Sequence, residues 1–141
     1  QVFLVLHKKE RKEYVMKTIE LQSASDEGRQ STELEVKLLS TMQHPNIVAY
    51  HDSFMDSAGQ LCILMEYCEH GDIFTYLQEA RRSHSAPDEP RLMEWFTQIV
   101  LALQSLHQKK ILHRDLKTQN IFLTGDRQQG IFSAKLGDFG I

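Results

Sequence analysis

One stretch of eight residues gathers side chains that could take part in a single reaction. It reads His113-Arg114-Asp115-Leu116-Lys117-Thr118-Gln119-Asn120, called the octet below, and an apolar, strand-like run follows it directly. Asp115 is a potential general base, Lys117 supplies a cation and Asn120 supplies an amide. These groups suit phosphoryl transfer to a hydroxyl, because that reaction needs an oriented hydroxyl and positive charge near the phosphoryl oxygens. The octet therefore predicts phosphoryl-transfer chemistry.

The composition limits the kind of protein that can carry the octet. The chain has 141 residues, 41% of them hydrophobic, which is enough to bury one core. A formal charge of -3 and a pI near 6.2 leave no basic surplus for gripping nucleic acid or an acidic membrane. Cys62 and Cys68 form no disulfide framework, and no apolar stretch approaches the ~20 residues that span a bilayer. We therefore expect a soluble intracellular protein in a reducing compartment, with neither nucleic acid nor membrane as a partner.

The beginning of the chain is predicted to form a small antiparallel sheet. Residues 2–6 and 14–20 are strand-like and flank a charged run, which predicts a hairpin. Two further strands are predicted over residues 47–54 and 61–67, joined by a turn-rich segment. These segments favour a sheet that is completed by one helix.

That helix is predicted over residues 31–42, after a polar loop over residues 23–30. Apolar residues at helical spacing are expected to face the core of the sheet. The stripe predicted to do so, from which Val36 is excluded, consists of Leu34, Leu38 and Leu39.

A lysine in the second predicted strand stands out because of its neighbours. The period of two in a strand puts Val15, Lys17 and Ile19 on one face, so the lysine shares a face that would otherwise be buried. Such a lysine needs an anionic partner, and Glu35 on the predicted helix is the natural one. The plainer alternatives are a lysine whose charged end reaches solvent and a glutamate that faces water.

After Gly71 the pattern changes from strands to helices, and this glycine is interpreted as a boundary between lobes. Helices are predicted over residues 73–82 and 91–109, with a polar break over 83–90. The apolar stripe of the longer helix is interpreted as core packing, with Trp95 beside it, and comprises Leu92, Phe96, Ile99, Val100, Leu103 and Leu106.

A second hairpin is predicted beyond the octet. Strands over residues 121–124 and 132–136 flank a polar turn over 125–130. The sequence Gly137-Asp138-Phe139-Gly140 follows, and its glycines are expected to let the backbone at Asp138 turn sharply toward whatever Asn120 faces.

This chain resembles a protein kinase domain. The features that carry the resemblance, in matching order and approximate spacing, are Lys17, Glu35, the octet and Asp138-Phe139-Gly140. The stretches HPNIV, MEYCEHGD, WFTQIVLAL, HRDLKTQN and LGDFGI are most similar to the NIMA-related serine/threonine kinases.

The resemblance implies an α+β fold with the bilobal kinase architecture, in which a small antiparallel sheet with one helix precedes a mainly helical lobe. It implies an N-lobe over residues 1–66 without the glycine-rich loop, a hinge over 67–71 and the start of the C-lobe over 72–141. The domain is expected to be partial at both ends.

The resemblance also implies a role for each polar site residue. Lys17 would hold the α- and β-phosphates of ATP, with Glu35 as its counter-ion. Asp115 would be the catalytic base or the orienting residue, and Lys117 would stabilise the transferred phosphoryl group. The two residues expected to bind Mg²⁺ are Asn120 and Asp138.

The remaining ATP-binding residues implied by the resemblance surround the adenine. Val2 and Val15 would cover it from one side and Phe122 from the other. Met65 would be the gatekeeper, and backbone groups of Glu66 and Cys68 would bind its edge. Cys68 is not expected to act as a nucleophile, because the sequence offers it no paired base.

The function implied is an ATP-dependent serine/threonine protein kinase, with ATP, Mg²⁺ and a protein substrate as its partners. The piece itself is expected to have weak or no activity, and its helical face is expected to attract a protein partner. The alternatives are a non-catalytic, shortened binding module and a small-molecule kinase. The expected location is cytoplasmic, with cytoskeletal or nuclear association as variants by family resemblance.

Overall fold

The computed structural model describes residues 1–21, 25–126 and 130–138, and it describes Glu35 and Ile131 by their backbone alone. The chain divides into two compact units. Unit 1 comprises Gln1–Gln43 and Ala49–Tyr67, and unit 2 comprises His44–Val48 and Cys68–Gly140. The lobe and hinge boundaries expected from the sequence stay a prediction. Within the described part of the chain, no helix is both long and apolar enough to cross a membrane.

Unit 1 is built on an antiparallel sheet of four strands in the order β1-β2-β4-β3. The strands are β1 (Val2–His7), β2 (Lys12–Glu20), β3 (Tyr50–Met55) and β4 (Gln60–Glu66). The predicted sheet is confirmed, but its third strand begins at Tyr50 rather than at residue 47. Ile47 instead forms an isolated parallel bridge with Leu136 of unit 2.

The helix that the structure describes in unit 1, α1 (Asp26–Ser40), begins earlier than residue 31. The hydroxyl of Ser25 accepts a hydrogen bond from the backbone N–H of Gly28 at 3.2 Å, and Asp26 and Glu27 occupy the first turn. A capping serine followed by acidic residues is the arrangement that stabilises a helix start. The predicted loop over residues 23–30 is therefore wrong from residue 26 onward.

The buried face of α1 also differs from the prediction. Val36 is 7% exposed and packs with Leu61 and Ile63 of β4, whereas Leu34 is 58% exposed. Val36 shares its face with half-buried Thr32, whose hydroxyl donates to the carbonyl of Gly28 at 3.0 Å. Because that hydroxyl has a local hydrogen-bond partner, Thr32 can lie on the inner face of α1. A polar residue on the inner face makes that face look solvent-exposed in the sequence, so the pattern favours the leucines instead.

Unit 2 begins with two helices, α2 (Ile73–Arg82) and α3 (Glu89–Gln108). Asp72 caps α2 by accepting from the backbone N–H of Thr75 at 2.8 Å, and the helix has its predicted bounds. The helix α3 begins at Glu89 because Pro90 fits its first turn.

The apolar stripe predicted for α3 is only partly buried. The residues of α3 that the structure buries are Trp95, Ile99, Ala102 and Leu106. Phe96 is 64% exposed and Val100 is exposed as well, so the interpretation of the whole stripe as core packing is wrong for these two. The mismatch arises because α3 is apolar on more than one face.

The second hairpin of the chain completes unit 2. A single 3₁₀ turn over Thr118–Asn120 leads into β5 (Ile121–Asp126), which pairs antiparallel with β6 (Ile131–Leu136). Ile121 lies opposite Leu136, so the residues just before β5 and just after β6 meet at the same end of the hairpin. The predicted hairpin is confirmed, with the octet before it and Asp138 after it.

Candidate active site

The octet is anchored to the end of β6 through a buried histidine. His113 is 4% exposed, and its Nε2 lies 2.8 Å from the carbonyl oxygen of Gly137. Its Nδ1 accepts the backbone N–H of Asp115 at 3.3 Å, which assigns the ring proton to Nε2 as the donor to Gly137. Arg114, between His113 and Asp115 in the chain, has a positive φ of 67°, which turns the backbone sharply. His113 thus fixes Asp115 relative to the residue that precedes Asp138.

One carboxylate oxygen of the octet has two donors. Oδ2 of Asp115 lies 2.7 Å from Nζ of Lys117 and accepts Nδ2 of Asn120 at 2.9 Å. These two hydrogen bonds hold the pKa of Asp115 below its usual range, and the bond from Lys117 has the larger effect. The group is therefore a charged carboxylate at neutral pH, and both of these hydrogen bonds are made by Oδ2 rather than by Oδ1.

The amide of Asn120 is oriented by its neighbours. Its Nδ2 donates to both the backbone carbonyl and Oδ2 of Asp115, at 2.8 and 2.9 Å, and its side chain is buried. Its backbone N–H donates to the carbonyl of Lys117 at 2.9 Å, which closes the 3₁₀ turn. With the amide nitrogen committed, Oδ1 is the atom that can ligate a cation.

Asp138 follows a glycine that has no room for a side chain. A Cβ added at Gly137 would come within 2.9 Å of both the Phe122 ring and Cγ2 of Val48. The positive φ lies at Asp138 itself, at 56°, and not at the preceding glycine, which corrects the expected reason for Gly137. Gly137 also donates its N–H to the carbonyl of Asn120 at 3.0 Å, which ties the two expected metal ligands together through the backbone.

These residues fit a magnesium ion that arrives with phosphate. Mg²⁺ prefers oxygen ligands and is commonly held by one or two carboxylates together with substrate phosphates. Asn120 and Asp138 offer an amide oxygen and a carboxylate. Among the residues described, no group of three or more His, Cys, Asp and Glu side chains could hold a metal ion alone. The donors offered by Asn120 and Asp138 are of the kind that Mg²⁺ accepts beside substrate phosphates.

In unit 1, Lys17 lies at the centre of a row across the sheet. It pairs with Val2 on β1 and with Ile63 on β4, and Ile63 packs against α1 in the buried core. Lys17 therefore occupies the face of the sheet that α1 covers, as the period of two predicts. The expected pairing with Glu35 lies outside the described residues, because the Glu35 side chain is not among them.

The expected adenine-binding residues of unit 1 lie along the same sheet. Val15 pairs with Met65, and both are half-buried on the face that carries Lys17. Val2 at the end of β1 is exposed. The N–H of Glu66 donates to the carbonyl of Ala49 at 2.9 Å, so its amide hydrogen is engaged within the unit.

In unit 2, Cys68 is buried and Phe122 is half-buried against Gly137. Phe139 and Gly140 lie outside the described residues. Sequence reasoning missed the bond between His113 and the carbonyl of Gly137, since a backbone acceptor leaves no trace in the residue types. It also missed the tight contact at Gly137, for which a glycine directly before an acidic residue was the only signal.

Comparisons with known proteins bear on the whole chain. A family model described as "Protein kinase domain" matches residues 1–141. Serine/threonine-protein kinase Nek4 of Mus musculus is 46% identical over 141 residues, covering 100% of this chain and 17% of that protein. Nek1 of Mus musculus is 44% identical over 138 residues, covering 98% of this chain and 11% of that protein. Nek6 of Oryza sativa subsp. japonica is 41% identical over 139 residues, covering 99% and 25%. The chain thus spans no more than a quarter of the length of these relatives.

Proposed function

Because this chain belongs to the protein kinase family and is similar to the Nek serine/threonine kinases, we propose that it transfers the γ-phosphoryl group of Mg-ATP to serine or threonine hydroxyls of proteins. The observation that carries the proposal is the shared oxygen of Asp115, which Lys117 and Asn120 approach at 2.7 and 2.9 Å. A carboxylate, a cation and a potential metal ligand are thereby joined in one hydrogen-bonded group.

Asp115 is assigned the role of orienting the substrate hydroxyl. Its lowered pKa makes it a weak base, so it is poorly suited to remove a proton before the reaction begins. Phosphoryl transfer passes through a loose transition state in which the hydroxyl becomes acidic late, and orientation then contributes more than basicity. Oδ1 of Asp115 would accept that hydroxyl's hydrogen bond while Lys117 stabilises the phosphoryl charge.

Asn120 and Asp138 are assigned to Mg²⁺, which would neutralise the phosphate oxygens when bound. Asn120 would contribute Oδ1, because its amide nitrogen is bound to Asp115. His113 would hold the two ligands in a fixed relation through the carbonyl of Gly137.

The nucleotide-binding assignments rest on the family. Lys17 would bind the phosphates with Glu35 as its counter-ion. The adenine would be contacted by side chains and backbone groups of Val2, Val15, Met65, Glu66, Cys68 and Phe122. Protein substrates and a cytoplasmic location are part of the same proposal.

Thermal melting with Mg-ATP tests the proposal. Saturating Mg-ATP at ~100 times its Kd should stabilise the chain by about 2.7 kcal/mol and raise its melting temperature by several degrees. Asp138→Ala should remove most of the shift, whereas Asp126→Ala, an exposed aspartate at the end of β5, should keep it. Absence of a shift in the unmodified chain would refute nucleotide binding.

Transfer itself needs a second measurement. Asp115→Asn should keep the Mg-ATP melting shift and lose phosphorylation of a serine- or threonine-containing protein by a factor of at least ~10². Binding without any transfer in the unmodified chain would favour a non-catalytic binding module. Transfer to small alcohols but not to proteins would favour a small-molecule kinase.

A further inference from the structure

The β5–β6 hairpin has a backbone neighbour along the outer edge of β5. The N–H of Leu123 donates to the carbonyl of Gly71 at 2.8 Å, and the N–H of His70 donates to the carbonyl of Leu123 at 3.1 Å. Phe122 forms an isolated bridge with Asp72. The segment after Cys68 therefore acts as a short third strand beside the start of β5.

Two residues further along β5, side chains replace this backbone partner. Oε1 of Glu69 accepts the N–H of Gly125 at 2.9 Å, and Nε2 of His70 lies 2.8 Å from the carbonyl oxygen of the same glycine. Oε2 of Glu69 accepts the hydroxyl of Thr124 at 2.8 Å. Because strand groups repeat with a period of two, Gly125 presents its N–H and C=O at the edge where Leu123 does. Glu69 and His70 are called the Glu69–His70 clamp below. Their side chains continue the row of hydrogen bonds along the edge of β5 from Leu123 to Gly125.

The opposite edge of the hairpin is held in the same way. Leu136 exchanges backbone hydrogen bonds with Asn46 and Val48, at 2.8 and 2.9 Å. Two residues back, Ala134 receives Nδ2 of Asn46 on its carbonyl at 3.0 Å and donates its N–H to Oε1 of Gln98 on α3 at 2.7 Å. Each edge is therefore bound by backbone near the octet and by side chains nearer the turn.

The clamp is also packed against β6. The His70 ring meets the ring of Phe132 edge to face at 5.0 Å, and the guanidinium of Arg91 lies 5.1 Å from the centre of the same ring. Partial burial raises the pKa of Glu69, but the donors Gly125 and Thr124 outweigh it, so the pKa lies below its usual range. Glu69 is a carboxylate at neutral pH and accepts both hydrogen bonds at full strength.

We propose that Glu69 and His70 are positioning residues for the magnesium ligands, acting through the hairpin on Asn120 and Asp138. Asn120 directly precedes β5, and Asp138 follows β6 after a single glycine, so any slide of the hairpin along its edges displaces both ligands together. The backbone contacts at Leu123 and Leu136 oppose such a slide near the octet, and the clamp opposes it at the far end by holding Gly125. The inference rests on the proposed function, since it concerns the Mg²⁺ that accompanies ATP.

The test compares nucleotide affinity with and without metal, using the full chain. Glu69→Ala should weaken Mg-ADP binding roughly three- to tenfold, which is the range expected when hydrogen bonds to a charged group are lost. Binding of ADP in EDTA should change less than twofold, because the metal ligands make no contact in that state. Glu69→Gln, which keeps one acceptor oxygen, should restore part of the affinity.

Two controls separate positioning from loss of stability. Glu79→Ala removes an exposed glutamate on α2 and should leave both affinities unchanged. Ile73→Val destabilises unit 2 at a buried position outside the clamp and should leave the ratio of the two affinities unchanged. Thr124→Val combined with Glu69→Ala should be no worse than Glu69→Ala alone, because both remove the same contact.

The outcomes distinguish this inference from the function it rests on. Equal loss of Mg-ADP and metal-free ADP binding in Glu69→Ala, or no loss at all, would overturn the positioning role. If the unmodified chain does not bind Mg-ADP, or if Asp138→Ala binds it normally, the proposed function itself fails.

Discussion

The carboxylate of Asp115 shows how few atoms decide the chemistry of the octet. Lys117 and Asn120 both contact the same oxygen, Oδ2, at 2.7 and 2.9 Å. The second oxygen is therefore distinguished from the first by hydrogen bonding alone. A symmetric carboxylate thereby acquires one oxygen that Lys117 and Asn120 hold, and in the proposed function the other oxygen meets the substrate hydroxyl.

Lys117→Ala should make the free energy of unfolding depend less on pH below neutrality. The depressed pKa of Asp115 contributes stability that is present above the pKa of the unfolded chain and is lost as the pH falls through the folded pKa. Lys117 is the largest cause of the depression, so its removal should make the free energy of unfolding fall less between neutral pH and ~pH 3. Urea unfolding at a series of pH values measures this. Lys9→Ala, which makes the same change in net charge in an exposed turn, should retain the full decline.

Gly137→Ala should destabilise the chain by overpacking, by roughly 1–3 kcal/mol. The added Cβ would lie 2.9 Å from Phe122 and from Val48. Gly71→Ala is the matched control, because Gly71 has a φ of 71° and nothing within 4 Å of its added Cβ. It should cost only about 1 kcal/mol of backbone strain. Denaturant unfolding compares them. We expect the cost of Gly137→Ala to exceed that of Gly71→Ala, and an equal cost for both variants would refute steric contact as the reason for Gly137.

The residue types of the site could be predicted from the sequence, but their connections could not. Asp115, Lys117 and Asn120 lie close enough in the chain that a turn brings them together. The bond from His113 to Gly137 joins residues 24 positions apart and ends on a carbonyl, which every residue possesses. No pattern of side chains marks such an acceptor.

At the scale of elements, α1 shows the limit of hydrophobic periodicity. Three leucines at helical spacing suggested the inner face, yet the buried position is Val36, in line with Thr32. A threonine that donates to the carbonyl of Gly28 costs little to bury, but it reads as polar in a sequence pattern. The strands were easier to predict, since successive residues of a strand alternate between only two faces of the sheet.

Val36→Ala should therefore be more destabilising than Leu34→Ala, although the leucine is larger. Removing two methyl groups from a buried site should cost roughly 1–3 kcal/mol, whereas truncating an exposed leucine should change stability by less than ~0.5 kcal/mol. Urea unfolding of both variants measures the difference. The opposite order would show that α1 presents its leucines to the core after all.

At the scale of the whole molecule, α3 exposes an apolar face to solvent. Met93, Phe96 and Val100 follow one another at steps of three and four and are all exposed, with Phe96 at 64%. The apolar content of this helix could be predicted from the sequence, but which of its faces is covered depends on the elements packed against it. Periodicity cannot separate two apolar faces of one helix.

This exposed face should make the chain prone to self-association. Phe96→Glu should lower the concentration-dependent association seen by sedimentation, because a charge would interrupt the apolar surface. It should leave the melting temperature within about 2 °C of the unmodified value, since the side chain is not part of the core. Ile99→Ala, at a buried position one turn away, should instead lower the melting temperature.

The bonded edges of the β5–β6 hairpin have a consequence for how the chain meets other chains. Two isolated strands are marginally stable in water and offer unpaired amides on both sides. Here, at the positions along the hairpin that the structure describes as bonded, those amides already have partners from Asn46, Gln98, Glu69 and the segment beside Leu123. A foreign strand would have to displace these partners before it could add to the sheet. The hairpin is thereby protected from the strand-by-strand growth that leads to amyloid.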